Sequence, residues 1–247
     1  MDTGLARQWV ARWDAQQEFY VADREERFTV IADVIAHVTT GQECPRIADL
    51  GCGPGSTTAR IAARLPGARI TGYDADPFLL ALASGAHPGL AEFVDADLTV
   101  AELGGAGELD AAVSTTALHW LTDADLAALY RRLAAALRSG GVLVNGDHLF
   151  DAQPAIATLA HVVRDARADR AGVRQNEDWH AWWDAAAAEP AFADLLAERE
   201  VRRGAATADH GQGHALERHV ELLREAGFSQ VGPVWRVGDD TVLVAVR

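Results

Sequence analysis

Ile47-Ala-Asp-Leu-Gly-Cys-Gly-Pro-Gly-Ser-Thr-Thr58 decides the fold of this chain. An apolar run, Ile47 to Leu50, ends in Gly51, Gly53 and Gly55, and a second apolar series follows at Ala59, Ile61, Ala62 and Leu65. The order predicts a strand, a glycine loop and a helix. Alternate glycines strip one side of the turn of Cβ atoms, so a ligand can lie against the backbone. The loop also opens a helix, whose free N–H groups make an electropositive end. Asp49, just ahead of the turn, suits a cationic group and would repel a pyrophosphate. The dinucleotide loop is spaced G-x-G-x-x-G. Here the third glycine comes one residue early, and Ser56 stands in its place.

Outward from this loop, acids recur where strands are expected to end. Arg69 to Asp74 reads as a second strand closing on an acid about twenty residues past the loop, where a carboxylate can accept from both hydroxyls of a ribose. A helix cap ahead of Pro77 is the alternative, and the two roles can divide between Asp74 and Asp76. Ala91 to Leu98 reads as a third strand running into Asp95 and Asp97, with Asp95 a solvated loop acid. Leu109 to Ser114 is a fourth strand, followed by Thr115-Thr-Ala-Leu-His119-Trp120. Leu126, Leu129, Leu133 and Leu137 form a helical core stripe. Gly140-Gly141 is expected to end that helix in a left-handed turn before a fifth strand. A last helix closes at Leu222 to Phe228, and two strands follow, 230–235 and 241–246.

The D-x-G-x-G-x-G spacing from Asp49, with Asp74 beyond it and Ala-Leu-His-Trp at 117–120, resembles the class I S-adenosylmethionine-dependent methyltransferases. The likeness covers most of residues 45–148 and 215–247 and is similar to the trans-aconitate and natural-product small-molecule types. It implies an α/β fold: a Rossmann-like seven-stranded, mostly parallel sheet with the last strand antiparallel. N-terminal helices and a helical lid inserted after strand five would complete it. One domain is expected, with a cover at 1–42, a cofactor-binding core at 43–149, a lid at 150–213 and a C-terminal helix and hairpin at 214–247.

The resemblance also implies S-adenosylmethionine as cofactor, held by Asp49, Gly51, Cys52, Gly53, Gly55, Asp74 and Ala75. It gives Asp97 to the adenine amino group, Leu98 to the ring face, and Ser114 and Thr115 to the strand end beneath the sulfonium. Cys52 itself reads as a small packed side chain rather than a nucleophile. An N-terminal helix covers the cofactor in such proteins, so Arg24 or Arg27 could meet its methionine carboxylate. Pairing with Glu25 or Glu26 is the other reading of those arginines. Trp13, Tyr20, Trp120 and Trp179 are assigned to the acceptor side, although aromatic residues on one helix face also build cores.

Methyl transfer from a sulfonium is an in-line displacement with a neutral leaving group, so it rests on positioning and exclusion of water. A hydroxyl or protonated amine acceptor also needs a base. His119 and His148, both at expected carboxyl ends of strands, are the candidates; a core histidine bonded to backbone is the alternative for each. O- or N-methylation of a small molecule follows, with a carboxylate or hydroxyl favoured. The chain lacks an Asn/Asp-Pro-Pro-Tyr sequence after strand four, against amide or adenine methylation of the familiar form. A nicotinamide-dependent oxidoreductase, or a non-catalytic S-adenosylmethionine-binding protein, stands as the rival.

Composition narrows the classes. The 247 residues are 49% hydrophobic, enough for one α/β domain with an insertion. The net charge of −14 argues against a nucleic-acid partner. There is no lysine, which excludes Schiff-base and P-loop lysine chemistry. Two cysteines, Cys44 and Cys52, suggest no disulfide framework. No spanning segment or secretory leader is visible, so a cytoplasmic monomer or homodimer without membrane contact is expected. Within the lid, Arg164, Arg167, Arg170 and Arg174 alternate with Asp165 and Asp169 and read as a solvated, ion-paired face or, alternatively, a carboxylate-binding stripe. Asp178-Trp-His-Ala-Trp-Trp183 needs a large apolar surface. Asp209-His210-Gly-Gln-Gly-His214 reads as a polar hinge, and no metal site is expected.

Overall fold

The computed structural model describes residues 1–205 and 213–247. Strands β1 (Arg46–Leu50), β2 (Arg69–Asp74), β3 (Glu92–Asp95), β4 (Leu109–Thr115), β5 (Leu137–His148), β6 (Gln230–Val237) and β7 (Asp240–Val246) form one seven-stranded sheet. Their order is β3-β2-β1-β4-β5-β7-β6. The first five pair in parallel, while β7 runs antiparallel to both β5 and β6. The central strands β1 and β4 are buried on both faces, which explains their unbroken apolar runs.

Helices α1 (Thr3–Gln17), α2 (Arg24–Val38), α3 (Ser56–Arg64), α4 (Pro77–Ala86) and α5 (Asp123–Ala136) precede the insertion. Helices α6 (Pro154–Ala171), α7 (Trp179–Ala187) and α8 (Ala193–Ala205) follow β5, and α9 (Leu216–Glu225) leads into the final hairpin. On one face of the sheet, Ile31 and Ile35 of α2 and Ile61 of α3 pack on Ile47, Val113, Val144 and Val242. On the other, Leu126, Leu129 and Leu133 of α5 and Leu222 of α9 pack on Leu50, Ala112 and Leu143. The alternation of strand side chains makes these two cores.

A third cluster joins the two regions outside the sheet. Trp9 and Trp13 of α1 meet Trp182 edge-on at 5.4 and 4.9 Å, with Phe78 of α4 and Phe192 beside them. The tryptophan run of the insertion therefore finds its apolar surface on α1 and α4.

Three expectations need correction. Helix α5 stops at Ala136, because Leu137 is already extended and pairs with Leu109; Gly140 takes its φ of +74° inside the irregular start of β5 instead of capping the helix. Within the expected helical lid the sequence marked no particular helix between Pro190 and Asp209, yet α8 runs there. The arginine stripe is only partly solvated. Arg174 pairs outward with Asp165 and Asp169, but Arg164 bonds Asp239 at 2.9 Å, and buried Arg167 reaches Asp23, Glu26 and Asp240. Those bonds tie α6 to the hairpin and to the start of α2. Asp209 and His210 lie outside the described residues. His214 is held by Asp123 at 3.0 Å and by the Leu121 carbonyl at 2.9 Å.

Candidate functional site

The glycine loop spends its own N–H groups internally. Gly51 and Cys52 donate to the Tyr73 carbonyl at 2.8 and 3.0 Å, Gly53 donates to Asp74 Oδ2 at 2.7 Å, and Gly55 donates to the Cys52 carbonyl at 3.0 Å. Gly51, Gly53 and Gly55 all have positive φ, the region that favours glycine. Gly51 has a second constraint. A Cβ placed there would lie 2.4 Å from Ala117 Cβ, so the turn after β4 sits directly on the loop. Cys52 is buried against Gly72, where a Cβ would lie 2.9 Å from its Sγ; burial pushes its thiol well up, as befits packing and not nucleophilicity.

A carboxylate from α1 sits beside the start of α3. Ser56 Oγ donates to Asp14 Oδ1 of α1 at 2.5 Å, and Arg24 and Arg60 close on the same carboxylate at 2.9 and 2.8 Å. With the amides of Gly51, Cys52, Gly53 and Gly55 already used and a carboxylate bonded to Ser56 at the helix start, the loop is poorly suited to a diphosphate.

Carboxylates dominate the neighbouring strand tips. Asp49, 1% exposed, accepts from Thr58 Oγ1 at 2.6 Å through Oδ2, while Oδ1 is buried with no partner among the described residues. Burial pushes its carboxyl up to about 7, with the charge of Asp74 adding and the Thr58 bond opposing. Asp74 is raised to about 6 by burial, against the bonds from the Asp76 and Gly53 amides. Asp76 caps α4 by accepting from Phe78 and Leu79 at 3.0 and 3.3 Å, so cap and loop partner are separate acids. Ala75 is exposed between them. Beyond β3, exposed Asp97 accepts from Thr99 N at 2.8 Å, and Leu98 packs against the α5 core. Asp95 is not simply solvated: Arg202 of α8 bonds it at 2.6 Å, as Arg199 bonds Asp76 at 2.5 Å. Arg199 also lies over the Trp183 ring at 3.8 Å.

On the other side of β1, buried Ser114 donates to the Leu50 carbonyl at 2.8 Å, and Thr115 shares a 2.6 Å bond with Thr57. The next residues form a turn of 3-10 helix, Leu118–Trp120, that carries His119. His119 Nδ1 lies 3.0 Å from both oxygens of Asp147, a wholly buried residue near the end of β5. Burial alone would lower the imidazole, but the hydrogen bond and charge of Asp147 outweigh it and hold its pKa above the usual histidine value. Burial would likewise raise Asp147; His119 and then Arg27 bring it below the ordinary carboxylate range. Trp120 is 53% exposed, with its ring 4.9 Å from that of His119.

His148 also faces an acid, Asp239, at 3.3 Å. That carboxylate is shared with Arg164 at 2.9 Å and His161 at 3.6 Å.

Several assignments change on this geometry. Arg27 is 1% exposed, and its guanidinium is committed to Asp240, with Nε at 2.7 Å, and to the Gly146 carbonyl at 3.3 Å. A buried cation needs its counter-ion, so Arg27 is not available to a cofactor carboxylate. Arg24 is likewise held by Asp14 and stacks on Phe28. Trp13 is a member of the aromatic core, in edge contact with Trp179, Trp182 and Trp183, instead of a pocket wall. Trp179 is half-buried on the same cluster, and its amide donates to the Tyr20 hydroxyl at 3.1 Å; Tyr20 itself is exposed.

Four further residues come forward only in the folded structure: Asp14, Gln16, Asp147 and Asp239. Asp147 had a visible signal, an acid one residue before His148 at a strand end, which period-two alternation sends to the opposite face. Gln16 had none. It is fully buried on α1, and neither amide atom finds a partner among the described residues. A buried polar group left so costs about 1–3 kcal/mol unless a ligand completes it.

Residues 47–141 match the family model described as a methyltransferase domain. Trans-aconitate 2-methyltransferase of Methylobacterium nodulans is 41% identical over 134 residues, 54% of this chain and 49% of the relative. The protein of the same name from Paracidovorax citrulli is 33% identical over 166 residues, 65% of this chain and 62% of the relative. The chain thus spans about half the length of the first of these curated relatives and under two thirds of the second. An S-adenosylmethionine-dependent methyltransferase of known structure from Mesorhizobium loti superimposes with a TM-score of 0.55 at 20% identity, over 87% of this chain and 96% of that one, which shows the shared fold.

Proposed function

We propose, on the premise that this chain carries a class I S-adenosylmethionine-dependent methyltransferase domain, that it methylates a small molecule through an acidic hydroxyl. The observation that carries this reading is the His119–Asp147 pair, an imidazole backed by a buried carboxylate. A carboxylate acceptor is already ionised near neutrality and needs no base. A hydroxyl acceptor does, and a histidine held slightly basic matches a phenol-like hydroxyl of pKa about 10 far better than a simple alcohol. Asp147 fixes Nδ1–H on its own side, so Nε2 is the nitrogen left to take the proton. Trp120, half-exposed beside that ring, offers an apolar face to such an acceptor.

The residues present fit the cofactor. The buried, unpartnered Oδ1 of Asp49 suits an α-amino group, and Asp74 suits ribose hydroxyls. Asp97 and Leu98 would take the adenine, and the Gly51–Gly55 loop, Cys52, Ala75, Ser114 and Thr115 would surround the remainder. When bound, S-adenosylmethionine supplies an electrophilic methyl group on sulfur. The chain then orients the acceptor, excludes water and holds the departing proton at His119. Its net charge of −14 favours a small acceptor over a nucleic acid, and no helix among the described residues is long and apolar enough to cross a membrane.

Calorimetry with S-adenosylhomocysteine, then methyl-labelled S-adenosylmethionine with matched phenolic and carboxylic acceptors, tests this. Binding followed by label in phenolic ethers is expected. Label in esters that survives His119→Gln would make the histidine an anchor and move the reading to carboxylates. Stabilisation by NAD with no response to S-adenosylhomocysteine would end it.

A further inference from the structure

Thr116 is one of only two non-glycine residues with positive φ among the described residues, at +51°. A β-branched residue in the left-handed region is uncommon and strained unless its surroundings impose it. The surroundings here are specific. The Thr116 amide donates to the Gly146 carbonyl at 3.0 Å, one residue before Asp147. Ala117 then drops onto Gly51, close enough that any Cβ there would collide with it. Leu118 follows with its side chain wholly buried in the α5 core, and His119 comes back to Asp147. The turn is therefore pinned at β5, at the glycine loop, in the core and again at β5, within four consecutive residues.

We infer that the left-handed elbow at Thr116 is the positioning device of the site: it aims His119 at Asp147 and holds that pair at a fixed distance from the glycine loop. The geometry leaves little alternative. In the right-handed or extended region, Thr116 would redirect the chain after β4. Leu118 would leave its pocket, Ala117 would leave Gly51, and His119 could not reach a carboxylate fixed in β5. Thr115 fastens the near side of the elbow through its bond to Thr57 on α3, so a single short stretch links the helix after the loop to the proposed base. Thr116 acts through His119 and touches neither the acceptor nor the reacting methyl.

This rests on the proposed role of His119, but its test does not need an acceptor. The full chain is titrated by NMR on the histidine ring protons, His119 being assigned with His119→Gln. The charged and titratable groups facing His119 are Asp147 of β5, Arg27 of α2 and His219 of α9, with the Trp120 ring beside it, and none is altered in the variants below. Thr116→Val, which disfavours the left-handed region, should bring the His119 titration down to or below 6.5, while Thr116→Asn, which tolerates it, should keep the wild-type value. S-adenosylhomocysteine affinity should change less than about threefold in both, since no cofactor-facing group is altered. If Thr116→Val proves unfolded by circular dichroism, Thr116→Gly permits the elbow without enforcing it and should show an intermediate titration. A His119 titration unmoved in Thr116→Val, or in Thr116→Gly where the valine variant does not fold, overturns the inference. Equal losses of S-adenosylhomocysteine binding in the valine and asparagine variants would also overturn it, showing a side-chain contact with the cofactor. Absence of S-adenosylhomocysteine binding in the wild type would strike the proposed function and leave the elbow test intact.

Discussion

His119 and His148 stand at the tips of adjacent strands, and each has an aspartate against its ring, yet the two pairs are built for different work. Both oxygens of Asp147 lie 3.0 Å from His119 Nδ1, one of them also accepts from the His148 amide at 2.9 Å, and no arginine bonds it, though the charge of Arg27 acts on it. Asp239 is divided between His148, His161 and Arg164, with the arginine the nearest at 2.9 Å. Arg164 and His161 therefore compete with His148 for that carboxylate. The first pair can polarise an imidazole; the second holds α6 to the hairpin. On the role proposed for His119, what separates it from His148 is the competition for the carboxylate, not the position of the histidine in the sheet.

The sharpest way to break this comparison is to remove each ring in turn. With a phenolic acceptor that is turned over, His119→Ala should lower kcat by about 10²–10⁴, whereas His148→Ala should leave it within about threefold. Comparable losses would mean that the sharing of Asp239 does not matter. Asp147→Asn comes next, at about 10–100-fold in kcat. It removes the charge that raises His119, so the acid limb of the kcat profile should move to lower pH even as the plateau falls. The same change at Asp239 should leave the limb where it is.

A smaller effect separates cofactor capture from proton transfer. Asp49→Asn should weaken S-adenosylhomocysteine about tenfold, read by calorimetry, without moving the His119 titration. Its pH signature has a definite sign. The folded carboxyl is raised to about 7 from an ordinary value near 4. Its favourable contribution to the ligand-free fold is thus complete below about pH 4 and lost as pH rises through about 7. Asp49→Asn should raise the melting temperature at pH 8 more than at pH 5, and wild-type cofactor affinity should climb between those pH values as the carboxylate forms. The smallest effect belongs to Arg164→Ala. It removes one tie between α6 and the hairpin and should leave kcat within about twofold.

The sheet, the glycine loop and the acids at strand tips were legible because each depends on local pattern: apolar runs, positive-φ glycines and an acid at a strand end. The strand after Gly140-Gly141 was placed correctly for a partly wrong reason, since the turn lies within β5 and not at the end of α5. What was hidden was pairing across distance. Nothing near Arg27 announces Asp240, more than two hundred residues away, so a helix-face arginine read as a ligand when it is a buried structural cation. Trp13 was ambiguous for the same reason, because its partners sit on α7. Asp14 had no local signal, and only the folded arrangement shows it accepting from Ser56 at the start of α3.

That last contact makes the first helix structural at the heart of the molecule. A shortened polypeptide beginning at residue 18 would leave Arg24 and Arg60 crowded without their shared anion, and Ser56 without an acceptor. The stretch that looks like a removable flap is the keystone of the bend it overlies.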